Sequence, residues 1–156
     1  MKKKKDNKNN ATINRKAYHD YEIISKHEAG LVLLGTEVKA VREGRVNLKD
    51  SYIDVKSGQA ILIGAHIGQY SNANINNHEP ERSRKLLLHR REINKFLQKV
   101  LVKGVSIIPL RMYFNEKGRL KIEIALAKGK RSYDKKTAIK ERDIKREVDR
   151  ELKNYR

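Results

Sequence analysis

The side chains in this chain best able to act on another molecule are cations. Thirty-seven Lys and Arg stand against nineteen Asp and Glu, a formal net charge of +18. They crowd the two ends: residues 1–16 carry seven basic and one acidic side chain, and residues 128–156 carry twelve and six. Such runs do one kind of chemistry well. They neutralise a polyanion and release its counterions, so nucleic acid is the expected partner. A Lys-rich composition also serves solubility, but biased composition would enrich the whole chain alike, and the clustering at the termini argues against it.

Covalent chemistry is poorly supplied. The absence of cysteine removes disulfides and thiol nucleophiles, and leaves zinc only His and carboxylate ligands. His19, His27, His66, His78 and His89 are scattered, with no pair at i, i+4. No phosphate-cradling glycine loop or nucleophile elbow occurs. Asp20, Glu28, Glu37, Asp50 and Glu79 are possible Mg²⁺ ligands for a nuclease, but they show no clustering and read as solvated surface. The expectation is RNA or DNA binding without enzymatic activity, cofactor or metal. Which nucleic acid stays open. Met1 to Lys5 leads into Asp6-Asn7-Lys8-Asn9-Asn10 rather than an apolar stretch, so no signal peptide is expected. No run approaches the ~20 apolar residues of a membrane span, and a cytoplasmic location follows as an expectation.

The elements that must hold these cations lie between the basic ends. Residues 1–16 read as a flexible basic arm, 17–128 as a β-rich body and 129–156 as a basic tail. Leu120 to Leu126 alternates apolar even positions with charged or small odd ones, a half-buried strand. Ile108, Leu110, Met112 and Phe114 alternate likewise, and Asn115-Glu116-Lys117-Gly118 makes the turn between the two runs. Arg111, Tyr113, Arg119 and Lys121 then share the outer face of that hairpin. A second hairpin joins 52–55 to 60–67, with further strands at 21–25 and 30–34. A short helix over 37–43 ends at Gly44. His89 to about Lys103 is a long helix with Ile93, Phe96, Leu97 and Val100 on one stripe. Lys85 to Leu88 fits either the start of that helix or a strand. Ile144, Val148, Leu152 and Tyr155 recur at helical spacing in the tail, too thin a stripe to hold a helix in water, so the tail is expected to be disordered when free and helical on a partner. The strand pattern suggests a small closed barrel of oligonucleotide-binding type, with an open sheet packed by helices as the competitor.

Four blocks are more specific. They are Asn14 to Tyr21; His27 to Lys39 with Arg42 and Asn47 to Tyr52; Asn77-His78-Glu79-Pro80 with Arg82 to His89, Glu92 and Ile93; and Ala127-Lys128-Gly129-Lys130 with Asp134-Lys135-Lys136. In order and spacing they resemble the small protein B family, bacterial partners of transfer-messenger RNA in trans-translation, across residues 11–156. The resemblance implies a mainly β fold, a six-stranded antiparallel barrel of oligonucleotide-binding type with about three helices. It also implies a monomer that binds the tRNA-like domain of transfer-messenger RNA. With elongation factor Tu and GTP, the family delivers that RNA to stalled ribosomes, its tail lying in the empty mRNA channel.

Carried over residue by residue, the resemblance implies RNA contacts at Asn14, Glu28, Leu87 and Lys121. Each has a second role open: Asn14 ends the arm, Glu28 pairs with a Lys or Arg, Leu87 packs in the core, and Lys121 is solvated charge. His19, Lys128, Lys130, Asp134, Lys135 and Lys136 would face the small-subunit decoding site. There the His19 ring is able to stack on an rRNA base, with plain exposure as its alternative. Leu152 and Tyr155 would anchor the helix induced in the mRNA channel. Lys136 replaces the family's Arg, which keeps the charge and loses a bidentate fork. The competing functions are a structural or assembly rRNA-binding protein of the ribosome and a Mg²⁺-dependent nuclease.

Overall fold

The computed structural model describes residues 10–73 and 75–154. Among these, nine strands and four helices follow in the order β1 (Asn10–Ile13), α1 (Arg15–Asp20), β2 (Tyr21–Leu31), α2 (Gly35–Arg42), β3 (Val46–Asn47), β4 (Tyr52–Lys56), β5 (Gln59–Ile63), β6 (His66–Ile67), β7 (Arg84–Leu87), α3 (Arg90–Val100), β8 (Val105–Phe114), β9 (Leu120–Gly129) and α4 (Ser132–Asn154). The fold is mainly β, as expected, with one more helix than the expected three. Seven strands form one sheet in the order β1-β8-β4-β5-β7-β2-β9, and β9 pairs back onto β8. Six of the seven therefore close a ring of antiparallel pairings, with β1 added on the outside of β8. The short strands β3 and β6 pair separately.

Residues 10–16, assigned to the flexible arm by composition, are structured here. β1 pairs with β8 from Asn10↔Tyr113 to Ile13↔Arg111, and Asn14 caps α1. The expected disorder of residues 1–9 lies outside the described residues. The tail, expected to be disordered when free, is the 23-residue helix α4. The strands expected at 21–25 and 30–34 join into one long strand, β2, whose polar residues line an outer face rather than a turn and which ends at Leu31, leaving 32–34 outside it. Lys85 to Leu87 belongs to strand β7, not to α3.

The core fills the inside of the ring with Ile53, Leu62, Leu86, Ile107, Met112, Ile122, Ile124 and Leu126, and Phe96 of α3 reaches into it. The expectation that Ile108, Leu110, Met112 and Phe114 share one inner face fails at a register shift between Pro109 and Arg111. Proline has no N–H for the ladder, and the extra residue flips the alternation. Ile108 and Leu110 thus face outward, where Ala17 of α1 packs on them together with Ala125 and Ala127. Helix α1 covers that part of the outer face and leaves the stretch at Lys121 and Glu123 open.

A buried polar network fixes α2 and the loop before β7. Glu37, fully buried, accepts from Nε of Arg82 and Nε of Arg84 at 2.8 Å each, from Nη2 of Arg82 at 2.5 Å and from the Leu34 N–H at 2.8 Å. Arg84, equally buried, donates on to the carbonyls of Ala65 and Pro80 at 2.7 and 2.9 Å. Burial alone would raise the Glu37 carboxyl, but bonds from Arg82, the Leu34 amide and Arg84 hold it below its ordinary value. His78 bridges Thr36 and the Ile67 carbonyl at 2.9 Å each, so Nε2 carries the proton and Nδ1 accepts the hydroxyl.

Candidate nucleic-acid interface

Cross-strand register builds one outer-face patch. Tyr113, Lys121, Gly30 and Leu87 are successive partners across β8, β9, β2 and β7. Two residues along, Arg111, Glu123 and Glu28 form a parallel row on the same face. Gly30 sits in the middle because a Cβ there would come within 3.2 Å of Leu87 Cβ. Leu87 is 55 % exposed while its neighbour Leu86 is buried, the alternation of a strand with one face inward. That answers the choice between core packing and surface: Leu87 is surface.

Glu28, 54 % exposed, accepts from the Tyr113 hydroxyl through Oε2, and its Oε1 lies 3.8 Å from Lys121 Nζ. Burial first, then the bond to Glu28 and its negative charge, push the Tyr113 phenol up to about 12, so it remains a donor. Arg111 lies over the Tyr113 ring at 4.7 Å and bonds Glu123 at 2.8 Å. Glu28, Leu87 and Lys121 line one shallow depression of about 400 Å³ with Gly30.

Asn14 does not join them. It is 6 % exposed, its amide donates to the carbonyls of Leu48 and Pro109 at 3.1 and 3.0 Å, and its Oδ1 accepts from Ala17 N–H at 3.2 Å. Both donors are spent within the fold, where Asn14 is a clamp seating α1 on β8.

A second cluster forms where the tail leaves the body. His19 Nδ1 donates to Asp20 Oδ1 at 2.8 Å, and Lys135 Nζ lies 3.7 Å from the same oxygen. The Lys130 N–H donates to the Asp20 carbonyl at 2.9 Å, and its Nζ reaches the Tyr18 carbonyl at 3.3 Å. The His19 bond first, against a smaller opposing effect of burial, and then the Lys135 charge hold the Asp20 carboxyl below its ordinary value. Lys128 precedes this point on β9, opposite Glu22. Asp134, Lys136 and Leu152 are exposed on α4, and Tyr155 lies outside the described residues. The α4 spacing puts Ile144, Val148 and Leu152 on one line, with Arg142, Arg146, Arg150 and Lys153 on the opposite face. Among the described residues no three His, Asp or Glu gather as a metal site.

The family model described as SmpB protein matches residues 11–154. The chain belongs to the SmpB family. It is 56 % identical over 143 residues to the SsrA-binding protein of Syntrophobacter fumaroxidans, covering 92 % of this chain and 88 % of that one. The SsrA-binding protein of Acetivibrio thermocellus is 52 % identical over 153 residues, covering 97 % and 99 %. A solved structure described as "tmRNA-SmpB: a journey to the center of the bacterial ribosome" contains a similar chain. The two superpose with a TM-score of 0.67 at 43 % identity, covering 82 % of this chain and 93 % of that one.

Within the SmpB family frame, the outer-face pattern of the 108–126 hairpin already aligned Arg111, Tyr113 and Lys121, but it gave Tyr113 no role. Gly30 also escaped notice. Its signal is an isolated glycine inside a strand, which marks a close approach. The Glu37–Arg82–Arg84 network had no sequence signal beyond a Glu three residues into a helix.

Proposed function

We propose that this protein is a non-enzymatic RNA-binding adaptor of trans-translation. Its body binds the tRNA-like domain of transfer-messenger RNA through the face around Glu28, Leu87 and Lys121. With elongation factor Tu and GTP, the complex enters stalled ribosomes in the cytoplasm. There His19, Lys128, Lys130, Asp134, Lys135 and Lys136 meet the decoding region of small-subunit rRNA. α4 lies in the empty mRNA channel, its basic line toward phosphate and Leu152 and Tyr155 as apolar anchors. In this reading the closed ring of six strands is a barrel of the oligonucleotide-binding type. A monomer suffices.

The observation that carries it is the presence of two separate surface clusters on one closed ring of strands. Glu28, Leu87 and Lys121 converge at Gly30, and His19, Lys130 and Lys135 converge on Asp20 at the tail's root. An adaptor needs two such faces. Among the described residues no helix is long and apolar enough to cross a membrane.

Competition binding at about 150 mM salt tests it, because salt screens the non-specific term. Labelled tRNA-like domain is challenged with ordinary tRNA and with unstructured RNA. A preference of about a hundredfold or more for the first is expected. Equal affinity for all three would return the protein to the structural or assembly rRNA-binding reading. If about five phosphates are neutralised, log K falls against log salt with a slope of roughly −4 to −5.

A further inference from the structure

Lys121 and Glu28 form one side of the polar rim of the Gly30 depression, which His89 and Glu92 continue, and that side has an order that selects one nucleobase. Lys121 Nζ offers donors, and 3.8 Å away Glu28 Oε1 offers an acceptor. Glu28 Oε2 follows, already accepting from Tyr113 yet keeping a free lone pair. Donor, acceptor, acceptor is the sequence of groups along the Watson–Crick edge of cytosine. Guanine presents its complement: the O6 acceptor, then the N1–H and N2–H donors. Adenine and cytosine each place an acceptor beside a single amino donor, and uracil flanks its one N–H with two carbonyls. Against a carboxylate, each of these leaves lone pairs facing lone pairs, which costs affinity rather than merely failing to add it.

The surroundings suit a single base lifted out of a stack. Leu87, 55 % exposed, supplies an apolar surface for the flat face. Gly30 keeps that surface where it is, since a Cβ would push into Leu87 at 3.2 Å. Tyr113 fixes the carboxylate, and Arg111, stacked on its ring at 4.7 Å and bonded to Glu123, fixes Tyr113. The phenol stays protonated far above neutral pH, so the clamp holds at any pH at which folded RNA survives.

We infer that Glu28 and Lys121 together read the Watson–Crick edge of one unpaired guanine of the bound RNA, with Leu87 packed on its face and Tyr113 as the positioning residue for Glu28. This rests on the proposal that the Gly30 face binds the tRNA-like RNA. Charge-assisted bonds to the N1–H and N2–H make Glu28 the specificity determinant, and Lys121 adds O6.

The test is a set of tRNA-like RNAs in which each unpaired guanine in turn is replaced by inosine, which lacks only the 2-amino group. Each is titrated with the full-length protein and with Glu28→Gln. At one position inosine is expected to weaken binding by about tenfold to the unaltered protein and less than about twofold to Glu28→Gln. Tyr113→Phe should weaken the guanine RNA by a smaller factor and shrink the same inosine penalty, a coupling that a merely structural tyrosine would not produce. No inosine position above about threefold, or a penalty equal in both proteins, overturns the guanine assignment. If Glu28→Gln, Leu87→Ala and Lys121→Ala all bind the guanine RNA as the unaltered protein does, the Gly30 face is not the RNA site, and the underlying proposal fails with it.

Discussion

The patch at Gly30 and the helix α4 differ in what holds them. Every residue of the patch stands on a strand paired on both sides, above a buried core, and its polar groups constrain one another. Of the α4 side chains described, none is buried, and only Lys135 near its root has a partner on the body among the ion pairs. A preformed patch loses little freedom on binding and so supports discrimination. An isolated helix must be held by whatever it meets, which suits a charged groove more than a particular sequence. Under the proposed function, this difference favours the body for the specific step and the tail for the channel-filling one.

Glu37→Ala is the hardest test of the rigid half. It leaves the buried Arg84 guanidinium without its carboxylate, and removal of one partner from a buried pair costs about 3–5 kcal/mol. Urea unfolding should report a loss of that size. A loss below about 1 kcal/mol would mean that the network does not hold α2 and β7 together. The same group sets an acid limb. Its carboxyl titrates below its ordinary value in the folded state, so its contribution is present above that ordinary value and is lost as pH falls through the lowered one. Glu37→Gln should flatten that limb of the stability–pH curve relative to the unaltered protein.

Asn14→Ala and Leu87→Ala divide the patch from its support. Asn14→Ala strips the cap of α1 and takes a buried donor from the Pro109 carbonyl and from the Leu48 carbonyl, which keeps Ser51, so stability should fall by roughly 1–3 kcal/mol. Leu87→Ala removes a largely exposed side chain and should cost less than about 0.5 kcal/mol, while RNA affinity drops. Thermal melts and RNA titrations on both variants check the pair. If Asn14→Ala melted like the unaltered protein yet lost RNA affinity, Asn14 would be a contact after all.

Much of the rigid half was legible in sequence because it rests on local rules. The 108–126 hairpin followed from alternation, and Gly118 indeed takes a positive φ of 71°. Gly44, at φ 77°, stops α2 as expected. What stayed hidden depends on partners distant along the chain. β1 is Asn-Ala-Thr-Ile, three polar or small residues and one isoleucine, too short a pattern to read as a strand without the β8 edge it meets, about a hundred residues away. The flip at Pro109 depends on α1 arriving to cover Ile108 and Leu110. The family resemblance named Glu28, Leu87 and Lys121, but only the register shows that Leu87 and Lys121 share a row with Gly30 and Tyr113, with Glu28 in the row beside it.

Deleting residues 131–156 sharpens the comparison from the other side, with the smallest expected effect on the body. The cut removes Lys135 from Asp20 but keeps Lys130, whose amide still closes on the Asp20 carbonyl. A pair of partly exposed charges is worth about 0–1 kcal/mol, and His19 remains to hold the Asp20 carboxylate, so the melting curve should barely move. RNA affinity at moderate salt should stay within about tenfold, since none of the removed residues is among those that line the Gly30 depression and their charge adds mainly the general electrostatic term. Tagging of stalled peptides should disappear, because the proposed function places α4 itself in the empty mRNA channel. If affinity for the tRNA-like RNA fell as far as tagging, the tail would be part of the primary site and the division of labour drawn from burial would be wrong. If tagging survived, the clusters at Asp20 and Gly30 would be sufficient, and α4 would be an accessory to a decoding-site contact made by His19 and Lys130.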